Sequence, residues 1–129
     1  MEWTTLIGVA HDAVITVGDE VGETFLPTIQ LKDYAGNNMK VASSIFAYMS
    51  DVATGLDPSA DMNGEVAKTS GGNGDVTILL ANCAYQLVSE TDGTISLTIT
   101  DTSGTGNKYL VLVMPDGRLV VSDAMLFTE

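Results

Sequence analysis

Cysteine and basic residues are scarce in this sequence, and each scarcity narrows the classes of protein it can belong to. The 129 residues include one cysteine, Cys83, which excludes an intramolecular disulfide framework and favours folding in a reducing compartment. Five Lys and Arg stand against 17 Asp and Glu, giving a formal net charge of −12. Because nucleic-acid binding needs cations that neutralise phosphates, and anionic lipid surfaces repel a negative chain, we expect neither nucleic acid nor membrane as a partner.

Long apolar runs are also missing. No run approaches the roughly 20 residues that a membrane-spanning helix needs. The N-terminus has no basic region, and its apolar run is broken by His11 and Asp12, so it does not resemble a signal peptide. We therefore expect a soluble protein that is made in a cytoplasm.

Side chains suited to catalysis are few. His11 is the one histidine and would have to be the base of any Ser-His-Asp arrangement, but its place beside Asp12 in an apolar-flanked segment favours a structural or surface role. Cys83 has no evident histidine partner and is interpreted as a small buried residue. We predict no catalytic residues and no enzymatic activity.

Two loop patterns resemble ligand-binding loops but lack the residues that such loops require. In "DPSADMNGE", residues 57–65, polar residues alternate as in an EF-hand, but position twelve then falls on Ser70, where a bidentate Glu is needed. Weak Ca²⁺ binding by this acidic loop stays open. The pieces "TSGGNGD" and "TSGTGNK" lack the spacing of a phosphate-binding loop and open no helix. We predict no metal site and no cofactor.

Helical periodicity is absent, and Gly, Asn and Asp punctuate the chain about every ten residues, which is typical of short strands and tight turns. A helix is the alternative for 39–50, which contains Ala and Met. Residues 51–75 are predicted to be a long loop with one short strand. Residues 4–10 and 13–17 are β-branched and apolar, interrupted at His11-Asp12, and further strands are predicted over 24–33, 39–50, 64–69, 75–82, 84–90, 94–100, 108–114 and 118–127.

Alternation within these strands predicts which side chains face the core. Pro27 cannot donate to a ladder, so an edge or a bulge is expected there. The triplet at 36–38, Gly-Asn-Asn, is interpreted as a strand connector rather than a ligand-binding loop. Strand 108–114 is apolar on both faces, as a covered central strand would be. The predicted core-facing set includes Ile29, Leu31, Val41, Ile45, Ala47, Met49, Val76, Ile78, Leu80, Ile95, Leu97 and Ile99, whereas Phe46 and Tyr48 face the opposite side.

Together these patterns predict an all-β protein of about eight or nine short antiparallel strands. The expected fold is an immunoglobulin-like β-sandwich, and a small β-barrel is the alternative. Residues 1–129 are predicted to form a single domain, since this length can bury its own core.

Two stretches carry a resemblance to a known family. "TIQLKDYAGNNMKVASSIFAYMSD", residues 28–51, resembles the opening of bacterial Ig-like domains. "SETDGTISLTITDTSGTGNKYLVLVMPDGRLVVSDAMLF", residues 89–127, resembles Ig-like modules of tailed bacteriophages, in which a "DG-x-I-x-L-x-I" strand precedes a "YLVLVLPDG" hairpin. The two stretches cover about half of the chain.

This resemblance implies a non-enzymatic structural virion protein, namely a capsid decoration (cement) protein that stabilises a tailed-phage head. The implied partner is the major capsid protein, the implied assembly is a homo-oligomer with a trimer favoured, and the implied location is the capsid exterior after synthesis in the host bacterial cytoplasm. The alternative is a phage tail or head-fibre module that binds the host-cell surface.

Exposed aromatic and apolar residues are the candidates for contact with such a partner. Trp3 is a large aromatic residue near the start of the chain, and it would contribute no packing energy if the terminus were frayed. Residues 1–5 are therefore predicted to be a docking segment. For Phe46 and Tyr48, packing in the core or at a sheet edge is the alternative explanation. The predicted interface residues are Trp3, Leu6, Phe46, Tyr48 and Tyr109.

Overall fold

The computed structural model describes residues 9–103 and 106–127, and every regular element in these ranges is a strand. Several strands are only two or three residues long, which is why their number exceeds the predicted eight or nine. The strands are β1 (Asp12–Thr16), β2 (Thr24–Phe25), β3 (Thr28–Lys32), β4 (Ser44–Ser50), β5 (Val66–Lys68), β6 (Asp75–Leu80), β7 (Ala84–Val88), β8 (Thr94–Thr100), β9 (Gly106–Val113), β10 (Leu119–Val121) and β11 (Met125–Phe127).

The strands form two antiparallel sheets. The five-stranded sheet has the order β1-β3-β8-β2, with β5 also pairing with β8, and the six-stranded sheet has the order β10-β9-β4-β7-β6, with β11 also pairing with β9. The runs β1-β3-β8 and β10-β9-β4 have the spatial and chain order of strands A-B-E and G-F-C of immunoglobulin sandwiches. The predicted β-sandwich is confirmed, and the barrel alternative is wrong because the two sheets stay separate.

The core lies between the sheets and follows the predicted alternation. In β8, Ile95, Leu97 and Ile99 are buried while the residues between them are half-buried. Phe25 and Phe127 meet edge to face, with ring centroids 4.9 Å apart, and so join the two sheets. Each such side chain contributes about 1.5–3 kcal/mol by leaving water.

Three predicted strands are interrupted or shortened. The strand predicted at 24–33 is two strands, β2 and β3, because Pro27 offers no N–H and stands between them. The last strand breaks at Ser122, whose hydroxyl accepts from the N–H of Leu110 and donates to the carbonyl of Asp123. The first part of the interrupted N-terminal stretch, residues 4–10, lies mostly outside the described residues, and β1 begins only at Asp12.

The segment before β4 was predicted to be strand, or alternatively helix, and is neither. Residues 39–43 cross between the sheets, since the Met39 N–H binds the Leu31 carbonyl while the Ser43 N–H binds the Ser89 hydroxyl. The predicted core position of Val41 is therefore wrong, and this side chain is 47% exposed.

The prediction that Leu80 faces the core is also wrong, whereas Ile78, in register with the buried Tyr85, lies on the core-facing side but is not covered. β6 is the outermost strand of its sheet, and Ile78 is 50% and Leu80 60% exposed. A bulge between these two residues moves Leu80 into register with Ala84, which lies on the outer face. Val76 does pack against the core, as predicted.

The Gly-Asn-Asn triplet is a connector held by Asp33. The buried Asp33 carboxylate accepts the N–H groups of Ala35 and Asn37 at 3.0 Å each, and Gly36 has a φ of 85°. This geometry is an Asx-type turn, in which the carboxylate takes the place of backbone partners. The interpretation of the triplet as a turn is consistent with these contacts.

The predicted loop at 51–75 is confirmed and contains β5 as its short strand. Gly64 explains why this loop lies so close to the sandwich, because a Cβ there would come within 1.9 Å of the Thr100 carbonyl oxygen. The glycine is therefore required by close backbone approach to β8 rather than by a calcium-loop turn.

Candidate interaction surface

The outer face of the six-stranded sheet carries the two aromatic residues that alternation placed away from the core. In β4, Ile45, Ala47 and Met49 are buried against the opposite sheet. Phe46 and Tyr48 therefore point outward, with ring centroids 6.2 Å apart, and Phe46 is 39% exposed.

Neighbouring strands extend this face. Across β4, Phe46 is in register with Val113, Tyr48 with Val111, and Ser50 with Tyr109. Alternation and register place the following residues on this outer face: Ser44, Phe46, Tyr48, Ser50, Thr77, Leu80, Ala84, Gln86, Val88, Tyr109, Val111, Val113, Leu119 and Val121, with Asp75 at its margin.

Charge is almost missing from this outer face. Asp75, at the margin, is its one charged strand residue, although the chain carries a net charge of −12. A surface without charges can be removed from water at a lower cost than a charged one, since an ion must be paired or neutralised when it is buried. The face therefore has the composition of a contact surface rather than of an ordinary acidic exterior.

Residues 51–58 cover one half of the face. The Tyr48 hydroxyl donates to the Gly55 carbonyl, and the Ser50 hydroxyl donates to the carbonyls of Val52 and Asp57. Val111 is fully buried under this loop, although it points outward. The uncovered half is the part around Phe46, where Val88 is 38% exposed, so the loop and the open patch lie side by side on one sheet.

An ion pair at the end of the core anchors this covering loop. Lys108 occupies a core-facing position of β9 and is 1% exposed, and its ammonium donates to Asp51 at 2.8 Å and to Asp61 at 2.7 Å. Burial alone lowers the pKa of Lys108, but its hydrogen bonds to the two carboxylates outweigh burial and raise it above the ordinary value. The hydrogen bond from Lys108 in turn lowers the pKa of Asp61.

The structure brings three of the five predicted interface residues together. Phe46, Tyr48 and Tyr109 share the outer face of one sheet, with Tyr109 half-buried. Trp3 and Leu6 lie outside the described residues. The sequence analysis did not predict that residues 51–58 cover this face, or that Lys108 anchors the covering loop. The sequence did contain one indication of the ion pair. Lys108 alternates in β9 with Leu110 and Leu112, and this spacing gives it a core-facing position.

The residues considered for catalysis do not converge. His11 packs on the ring of Tyr34, with centroids 4.7 Å apart, and its Nδ1 lies 3.9 Å from a carboxylate oxygen of Asp116. Cys83 is half-buried near Leu80, and burial raises the pKa of its thiol, which disfavours the reactive thiolate. These two residues line different surface depressions.

In the acidic loop considered for Ca²⁺, the carboxylates of Asp61 and Glu65 make other contacts, and that of Glu65 accepts from the Tyr85 hydroxyl. Asp61 binds Lys108 and accepts from the Ser59 hydroxyl. Across 9–103 and 106–127, no cluster of three or more acidic, histidine or cysteine side chains is placed to hold a metal ion. The same ranges contain no helix of the length and hydropathy needed to cross a membrane.

The outer face of the five-stranded sheet differs from this surface in chemistry. Its outward positions are mainly hydroxyl-bearing, as in Thr94, Ser96, Thr98 and Thr100 of β8. A shallow depression on this side is lined by Val14, Thr16, Thr28, Ile29, Gln30, Asn73, Thr94, Ile95 and Ser96.

No protein-family model and no curated protein matches the chain. Among solved structures, the chain is similar to a cohesin module from the family 33 glycoside hydrolase of Clostridium perfringens ATCC13124. The two are 15% identical with a TM-score of 0.49, and the match covers 94% of this chain and 98% of the cohesin chain.

Proposed function

We propose that this chain is a non-enzymatic structural protein of a phage virion, which decorates the capsid exterior and binds the major capsid protein. The observation that carries the proposal is the nearly uncharged outer face of the six-stranded sheet around Phe46, in a chain of net charge −12. The sequence resemblance to phage Ig-like modules supports the choice of partner.

The proposed mechanism is reinforcement by buried area. Binding across neighbouring capsomers adds contact that exists only in the assembled shell, and mass action then stabilises the assembled state. The exposed ring of Phe46 is the anchor of this contact, because buried aromatic residues dominate the energy of protein interfaces. The acidic remainder of the surface keeps decorated particles apart.

Phe46→Lys tests the proposal on purified capsids. We expect this variant to fall at least tenfold in occupancy, because the lysine would be desolvated on a surface that holds no partner for it. Val14→Lys is the matched control, since Val14 is 54% exposed on β1 of the other sheet, and its occupancy should equal that of the unchanged protein.

Equal occupancy of both variants would contradict the docking role of this face. Deletion of residues 1–5 is the second arm of the same assay and tests the predicted docking segment. Unchanged occupancy of the deletion protein would remove that segment from the contact and leave the sheet face as the proposed surface.

The second candidate function is recognition of a host-cell glycan by a tail or head-fibre module. The hydroxyl-rich depression on the five-stranded sheet favours it, because side chains such as Thr28, Asn73 and Thr94 offer donors and acceptors to sugar hydroxyls. Copy number separates the two functions, as a decoration protein is present in hundreds of copies on each head and a tail protein in a few.

A further inference from the structure

β6 is an unusual edge strand. It is six residues long and pairs only with β7, so its second edge has no strand partner among the residues described. Ile78, Leu79 and Leu80 are 50%, 53% and 60% exposed. Natural sheets blunt such edges, because an open row of backbone N–H and C=O groups with apolar side chains recruits another strand.

The other sheet margins show the usual protection. β2, β5, β10 and β11 are only two or three residues long. β1 is one residue shorter than β6, and Val14 is the one apolar residue among its exposed positions 12, 14 and 16. β6 has a bulge near its end, but the bulge leaves residues 75–78 in regular register with β7. Of the described edge strands, β6 is thus the longest and the most apolar.

Charge indicates what covers this edge. Residues 69–89 contain one charged side chain, Asp75, whereas the whole chain carries 17 acidic and 5 basic residues. In a two-fold contact each patch meets its own copy, so a strongly acidic surface would repel itself. The β6 region is a long stretch of this chain that can be desolvated against itself almost without charge.

We propose that β6 pairs with β6 of a second copy, antiparallel and about a two-fold axis. The antiparallel direction follows from Asp75, because parallel pairing would place the two carboxylates side by side, whereas antiparallel pairing puts them at opposite ends of the ladder. The two six-stranded sheets become continuous, and the uncharged outer faces that hold Phe46 lie next to each other.

Sedimentation velocity of the free protein over a range of concentrations tests this pairing. We expect the unchanged chain to form a dimer and Leu79→Lys to raise the dissociation constant at least tenfold, because an edge lysine opposes strand addition. Val14→Lys is the control, since Val14 and Leu79 are 54% and 53% exposed, and it should dimerise like the unchanged protein.

A second variant and a second measurement distinguish a lost contact between copies from misfolding of the Leu79→Lys variant. Thr77→Lys, at another exposed position of β6, should weaken the dimer in the same way while keeping the circular dichroism of the folded chain. Amide exchange in residues 75–80 should slow as protein concentration rises, and exchange in residues 12–16 should not change.

A chain that stays monomeric at millimolar concentration, or a trimer that Leu79→Lys leaves intact, would overturn the pairing. Both measurements use free protein without capsids. Their failure is therefore separate from a failure of the capsid-docking proposal.

Discussion

At the scale of single residues, Lys108 is a charged side chain buried at one end of the core. Its ammonium is almost fully buried between Asp51 and Asp61, whose side chains are 31% and 52% exposed. Lys108→Met keeps the aliphatic volume and removes the charge, and the two carboxylates can then recover water. We expect the free energy of unfolding to fall by about 1–3 kcal/mol, less than for a fully buried ion pair. Urea titration measures this change.

The pH dependence of the same variant separates a lost ion pair from poor packing. Because Lys108 lowers the pKa of Asp61, the stability from this contact is present above the unfolded pKa of the carboxyl and is lost as pH falls through the lower folded pKa. The difference between the unchanged protein and Lys108→Met should therefore shrink as pH falls from 5 to below 3.8, the ordinary value for Asp. A constant difference would contradict the ion-pair account. Lys40→Met, at an exposed lysine, is the control and should stay within about 0.5 kcal/mol.

At the scale of elements, the covering loop at 51–58 depends on Tyr48. Tyr48→Phe removes the hydrogen bond to the Gly55 carbonyl and keeps the ring in place. We expect a loss of about 0.5–1.5 kcal/mol in stability and faster amide exchange at Gly55, whose N–H binds the Val52 carbonyl within the loop.

Tyr109→Phe is the control for this loop prediction, because Tyr109 lies on the same outer face two residues from Val111. It should leave exchange at Gly55 unchanged. If both tyrosine variants loosen the loop equally, the Tyr48 hydroxyl is not what holds it.

Sequence alternation predicts the strands that have neighbours on both sides and fails at the margins of the sheets. β8 lies between β3 and the short strands β2 and β5, so its apolar residues have one possible face. Ile78 has the same period-two pattern but lies at an edge, where the opposite sheet does not cover it. Val41 precedes a strand that starts only at Ser44, and periodicity alone does not locate that start.

Alternation within a strand also made the candidate surface predictable in part. Alternation alone places Phe46 and Tyr48 away from the core, because Ile45, Ala47 and Met49, which alternate with them, are apolar. Alternation also gives Lys108 its core-facing place, but its partners were not predictable, since Lys108 is 57 residues from Asp51 and 47 from Asp61. Contacts over such distances follow from sheet order, which a single sequence does not state.

At the scale of the whole molecule, the net charge of −12 opposes every contact between copies, while the proposed β6 contact adds almost no charge of its own. Salt shortens the range of the repulsion, from a Debye length of about 30 Å at 0.01 M to about 10 Å at 0.1 M. We therefore expect the dimer to become severalfold tighter as sodium chloride rises from 10 to 300 mM, measured by sedimentation equilibrium. Weaker association at high salt would mean instead that ion pairs hold the copies together, with Lys68 on the nearby β5 as the first cation to replace. Val14→Lys should show a slightly smaller salt dependence than the unchanged chain, because its site lies on the other sheet and the added lysine only lowers the overall repulsion a little.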